Sequence, residues 1–131
     1  MDEAARAAQA KAYAPYSKFK VGAAVRMSGK IFQGANVECA SYPLSVCAER
    51  NAIANAVIGG GSELEEVCVY TDASPPASPC GGCRQVLREF ARDPAAVTVV
   101  SINGSGERRT WTLAQLLPDS FDGRELPCPE T

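Results

Sequence analysis

A chain of 131 residues is the size of one domain built around one core. With 46% hydrophobic residues and a net charge of −2, it is neither a disordered tail nor a fibre, and it has no general electrostatic hold on nucleic acid. No apolar run is long enough to span a bilayer and Met1-Asp2-Glu3-Ala4 opens no basic-then-apolar leader, so a cytoplasmic, reducing setting is expected, with neither nucleic acid nor membrane as partner.

Asp2 to Ala12 is alanine-rich and predicts a helix. Tyr13-Ala14-Pro15-Tyr16-Ser17 closes it, because proline disfavours helix at the residue before it. Lys20 to Met27 and Ile31 to Val37 are β-prone, and Ser28-Gly29-Lys30 between them predicts a tight turn and an antiparallel hairpin. Pro43-Leu44-Ser45 leads into a helix over Val46 to Ile58, stopped by Gly59-Gly60-Gly61. Glu65 to Thr71 predicts a strand, and Asp72 to Ser78 a loop. Ser78-Pro79 has the form of an N-cap followed by a first-position proline, opening a helix to about Phe90. Ala96 to Ile102 predicts a strand, Asn103-Gly104-Ser105-Gly106 a turn, and Arg108 to Thr112 a last strand. Thr112 then caps a short helix through Leu117, and the tail from about residue 122 to 131 is expected to be irregular.

A helix between the third and fourth strands lets them lie parallel, and the tight turn after the fourth makes the fifth antiparallel. The expected fold class is α/β: a single domain over 1–131, in three α/β/α layers, with a mixed five-stranded sheet and helices on both faces.

The chain has no histidine, which removes Ser-His and Cys-His nucleophiles and every histidine-containing metal site. Its six cysteines are Cys39, Cys47, Cys68, Cys80, Cys83 and Cys128. In a reducing compartment, clustered cysteines point to metal binding or catalysis more than to disulfides. Cys47-Ala48-Glu49 and Pro79-Cys80-Gly81-Gly82-Cys83 each fall at a predicted helix start. There the unpaired N–H groups and the helix dipole favour thiolate. Cysteines three apart bring their sulfurs to one side of a turn. Two such starts facing each other would gather three thiolates and leave a fourth tetrahedral position for water, the arrangement of catalytic zinc.

Glu49 lies two residues from Cys47, close enough to move that water's protons without being a ligand. Three thiolates make the centre net negative, so a nearby guanidinium would restore its pull on water. Arg50 is the preferred candidate, with Arg84 as the other. A sealed structural site, with Cys39 or Cys68 as a fourth ligand, is the plainer alternative, as is a redox dithiol. Cys68, in an apolar strand, reads as core, and Cys128 as idle.

These motifs, together with Tyr16-Ser17-Lys18-Phe19-Lys20-Val21-Gly22-Ala23-Ala24, Asn36-Val37-Glu38-Cys39-Ala40-Ser41-Tyr42-Pro43-Leu44 and Leu116-Leu117-Pro118-Asp119-Ser120-Phe121, make the chain resemble the short, single-domain cytidine deaminases over roughly Tyr16 to Phe121. The resemblance implies zinc-dependent hydrolysis of cytidine and deoxycytidine to uridine and deoxyuridine with release of ammonia, a step of pyrimidine salvage. Metal-activated water would attack C4 while Glu49 shuttles protons. It implies one zinc per subunit on Cys47, Cys80 and Cys83, and a homotetramer whose pockets are shared between subunits. It assigns Asn36 and Glu38 to the sugar hydroxyls, Phe19 to the base, and the Ala48 N–H to the base carbonyl. Ala40, Tyr42 and Phe121 are assigned to a neighbour's pocket. Cys39 stands where relatives often have asparagine. Rival readings are a deaminase of another small substrate such as blasticidin S, a polynucleotide editor, and a zinc-stabilised binding module without catalysis.

Overall fold

The computed structural model describes residues 1–123 and residue 126. In chain order the elements are α1 (Asp2–Gln9), β1 (Gly22–Met27), β2 (Lys30–Ala35), α2 (Ala48–Ile58), β3 (Leu64–Tyr70), α3 (Gly81–Glu89), β4 (Thr98–Ile102), β5 (Arg108–Thr112) and α4 (Leu113–Leu116). Short 3-10 turns occupy Tyr42–Leu44 and Pro94–Ala96. The strands form one sheet in the order β2-β1-β3-β4-β5. β3 and β4 are parallel and every other neighbouring pair is antiparallel, as the connections require.

Alternation along the strands sorts their side chains between two apolar layers. Ala23, Val25, Met27, Val67, Val69 and Val99 face α2, α3 and α4, where Ala52, Ile53, Leu87 and Leu113 complete the main core. Ala24, Cys68, Tyr70, Val100 and Ile102 face the other way, against Ala5 of α1. The expected three layers and mixed five-stranded sheet are therefore present. Cys68 is a core residue, 1% exposed, on the face opposite Leu87. Among the described residues no helix is long and apolar enough to cross a membrane.

Several boundaries differ from expectation for local reasons. The first helix stops at Gln9 rather than Ala12, because Tyr13 turns back to bond the end of the hairpin: its N–H donates to Asn36 O and its carbonyl accepts Glu38 N–H, both at 2.9 Å. Strand β1 begins at Gly22 rather than Lys20, because the Asn36 side chain takes Val21 N–H and Phe19 O out of the ladder. Ser28 and Gly29 both have positive φ, the geometry of a tight hairpin turn with the twist of its strands. Gly22 and Gly34 let the helices approach the sheet. A Cβ at Gly22 would overlap the backbone of Ala5 and Gln9 in α1, and one at Gly34 the backbone of Ala48 and Ala52 in α2. Both helices thus lie directly on the hairpin, and α2 presents its N-terminus at a fixed depth.

Candidate functional site

Cys47 is the N-cap residue of α2, and Cys80 that of α3. The α2 start lies two residues later than the sequence suggests, because Val46 exchanges both backbone hydrogen bonds with Val37 and is extended. The α3 start is also displaced. Ser78-Pro79 is not its cap; the Cys80 sulfur accepts Cys83 N–H at 3.4 Å in that role, and Ser78 Oγ instead accepts from Arg84 Nη2 at 3.1 Å.

The two helix starts bring Cys47 Sγ to 3.9 Å from Cys80 Sγ, which is 3.1 Å from Cys83 Sγ. All three sulfurs lie within 4.8 Å of one another, the one such ligand cluster among the described residues. Tetrahedral bonds of about 2.3 Å to zinc place sulfurs on the order of 3.8 Å apart, so the donor type and spacing suit that ion. Neither Cys39, exposed on a loop, nor Cys68, on the other face of the sheet, joins the cluster, so three donors come together among the described residues, the number a catalytic centre uses. Cys128 lies outside the described residues.

Hydrogen bonding polarises the trio. The bond from Cys83, with help from Cys80 and Arg50, draws the Cys47 thiol down to about 5 against the cost of its burial. Cys83, the donor in that pair and fully buried, is pushed up. Arg50 Nη2 donates to Ser45 O at 3.2 Å, and its buried Nε has no hydrogen-bond partner among the described residues. Its positive charge is thus held beside Cys47. Arg84 does something else. Its guanidinium donates to Pro79 O at 2.8 Å, Leu116 O at 2.7 Å and the Ser78 hydroxyl, and so fixes the loop before Cys80 to α4.

Glu49, in the first turn of α2, is 5% exposed. Burial raises its carboxyl to about 6, and the charge on Cys47 adds to the effect. Cys47, Ala48, Glu49 and Cys80 form one side of a cavity of about 350 Å³, within the size range of small-ligand pockets. Phe19, Asn36 and Glu38 also line it. Asn36 Oδ1 accepts Val21 N–H and its Nδ2 donates to Phe19 O, each at 2.8 Å. Ala48 occupies the first position of α2, where a backbone N–H has no partner inside the helix.

Three predicted residues lie elsewhere. Ala40 and Tyr42 are exposed on the connection before α2, with Tyr42 edge-on to Tyr16 at 5.8 Å between ring centroids. Phe121 is half-exposed on a separate segment that α3 pins down. Gln85 donates to Phe121 O, and Arg88 holds Ser120 Oγ at 2.8 Å and Asp122 in an ion pair of 2.7 Å. Sequence reasoning passed over Ser17, Val69, Thr71 and Ser78 as lining residues. Val69 and Thr71 had a signal: they end a strand parallel to its neighbour, where ligand crevices of α/β sheets gather.

Comparison with known proteins agrees with this geometry. Residues 1–100 match the family model of the cytidine and deoxycytidylate deaminase zinc-binding region. The chain is 41% identical over 120 residues to a cytidine deaminase of Sporosarcina psychrophila, covering 91% of this chain and 87% of that one. A crystal structure of a cytidine deaminase from Burkholderia pseudomallei superposes with a TM-score of 0.85 at 47% identity, over 91% of this chain and 94% of the other. A Mycobacterium tuberculosis cytidine deaminase gives a TM-score of 0.77 at 36% identity, over 91% and 92%. In sequence, in fold and in a cysteine trio able to hold zinc, this chain belongs to the cytidine deaminase family.

Proposed function

We propose that this chain hydrolyses cytidine and deoxycytidine to uridine and deoxyuridine, releasing ammonia, in the cavity beside the cysteine trio. The observation that carries the reading is a buried carboxyl, Glu49, lining the same cavity as two of the three clustered thiols. A structural metal site has no use for such a group. Cys47, Cys80 and Cys83 would hold zinc, which lowers the pKa of water and supplies a nucleophile at neutral pH.

The chain's own residues then do the following. Glu49 takes a proton from the attacking water and delivers it to ring N3, then carries a second to the departing amino group. A carboxyl raised to about 6 can accept and return protons near neutrality. Arg50 offsets the negative charge of three thiolates. The Ala48 N–H donates to the base carbonyl, Phe19 packs against the base, and Asn36 and Glu38 take the sugar hydroxyls. Asn36 keeps one donor hydrogen and one acceptor position beyond those it spends on Phe19 and Val21. The exposed Ala40, Tyr42 and Phe121 complete the cavity of a neighbouring subunit in a homotetramer. The whole of 1–131 serves as one catalytic domain, and its free thiols suit a reducing cytoplasm.

Loss of cytidine followed by ultraviolet absorbance, with zinc measured on the same sample, tests the proposal. Activity is expected to vanish on chelation and return with zinc. Glu49→Gln is expected to keep its zinc while turnover falls ~10²–10⁴-fold. A zinc-replete Glu49→Gln protein turning over at the parent rate would remove Glu49 from this role.

A further inference from the structure

Glu38 lines the cavity, yet one short loop already engages both of its oxygens. Oε1 accepts the backbone N–H groups of Tyr16 at 3.1 Å and Ser17 at 3.0 Å, and Oε2 accepts the Ser17 hydroxyl. A carboxylate offers about four acceptor positions. Three are therefore filled, and the one that remains is on Oε2.

The Ser17 oxygen also accepts Phe19 N–H at 3.0 Å. Lys18 between them has a φ of 61°, in the left-handed region that lysine seldom adopts, and its N–H donates to Ala14 O at 3.0 Å. This reversal of the chain puts one hydroxyl between the Glu38 carboxylate and the Phe19 amide. Asn36 grips the far side of Phe19 through its carbonyl. The residues at the sugar end and the base end of the cavity are thus joined through a single serine.

We propose that Ser17 is a positioning residue for substrate recognition: its hydroxyl aims the remaining acceptor position of Glu38 at a sugar hydroxyl. The inference rests on the reading of Glu38 as a sugar acceptor. The hydrogen bond from Ser17 is also the largest influence holding the Glu38 carboxyl below the usual carboxylate range. A serine that merely stabilised its loop would affect every ligand alike. One that aims Glu38 affects only ligands that carry the hydroxyl.

Steady-state kinetics of the zinc-loaded protein on cytidine and on 2′,3′-dideoxycytidine separate these cases. For Ser17→Ala, KM for cytidine is expected to rise roughly fivefold, the effect of a lost charge-assisted contact at an exposed site. The change in kcat is expected to stay within about twofold, and KM for the dideoxynucleoside to stay at the parent value. Ser17→Thr, which keeps the hydroxyl, is expected to restore cytidine binding, and Ser17 is exposed, so the thermal midpoint should not move. An equal KM rise on both substrates, or none on cytidine, overturns the proposal. Glu38→Ala run in parallel locates a failure. If it abolishes discrimination between the two nucleosides while Ser17→Ala does not, only Ser17 loses its role. If it preserves discrimination, the sugar reading of Glu38 falls and the Ser17 proposal with it.

Discussion

At the scale of single residues, charge and its partners decide what the site can do. Three thiolates around a dication leave a net negative centre, which binds water's oxygen less strongly than a positive one would. On the proposed function Arg50 would correct this: its buried Nε has no hydrogen-bond partner among the described residues and its charge favours thiolate at Cys47. Arg50→Gln is expected to weaken zinc affinity by roughly 10–100-fold, measured by competition with a chelating dye, in the range typical of lost outer contacts to metal ligands. An unchanged affinity would make Arg50 a packing residue. The cysteine trio was legible in the sequence because each of its two motifs is local and few other chemistries explain the two together. The choice between Arg50 and Arg84 was only half legible. Each adjoins a motif residue, and the partner that ties Arg84 to α4, the carbonyl of Leu116, is 32 positions away. Ser17 went unnoticed for a related reason. A serine in a loop is ordinary until the chain reverses at Lys18 and turns it toward Glu38.

At the scale of elements, the hairpin and the helices on it set the depth of the site. Gly34 has the backbone of Ala48 and Ala52 where a side chain would go, so the N-terminus of α2 rests against β2. Gly34→Ala is expected to destabilise the protein by about 1–3 kcal/mol in urea unfolding, as overpacking at a close backbone approach does. Metal affinity should fall too, since pushing α2 away shifts Cys47. A variant of unchanged stability would mean that the helix can slide. The sequence disclosed all five strands and the senses of the β1–β2, β3–β4 and β4–β5 pairs, because alternation and connection length are strong signals, but not the antiparallel pairing of β1 with β3. It misplaced element starts wherever a side chain or a distant strand took over a backbone group. Val46 is claimed by Val37, Phe19 and Val21 by Asn36, and the cap of α3 by a thiol rather than by Ser78. Thr112 caps the short last helix as expected, and does so in a capping box with Gln115 that needs only four consecutive residues.

At the scale of the molecule, an ion pair between the first helix and the last strand ties stability to pH. Asp2 at the start of α1 pairs with Arg108 of β5 at 2.8 Å, and the hydrogen bond from Arg108 holds its carboxyl below the ordinary 3.8. In the unfolded chain Asp2 protonates at that ordinary value, and in the folded chain lower. Its contribution is therefore complete above about pH 4 and lost as the pH falls through the folded value. Both groups are half-exposed, so the effect is small: Asp2→Asn is expected to lower stability slightly at pH 7 and to match the parent near pH 2, read from urea midpoints at the two pH values. A gap that widened in acid would contradict the sign. The cysteine trio has a different consequence for the whole chain. Cys80 and Cys83 sit one helical turn apart and form a local claw, whereas Cys47 lies 33 positions upstream of Cys80 and meets it only once β3 is in the sheet and α3 has docked. An ion held by all three sulfurs would close a loop of 33 positions and staple the two helix starts together, so its removal would loosen the whole tertiary structure and not one turn alone.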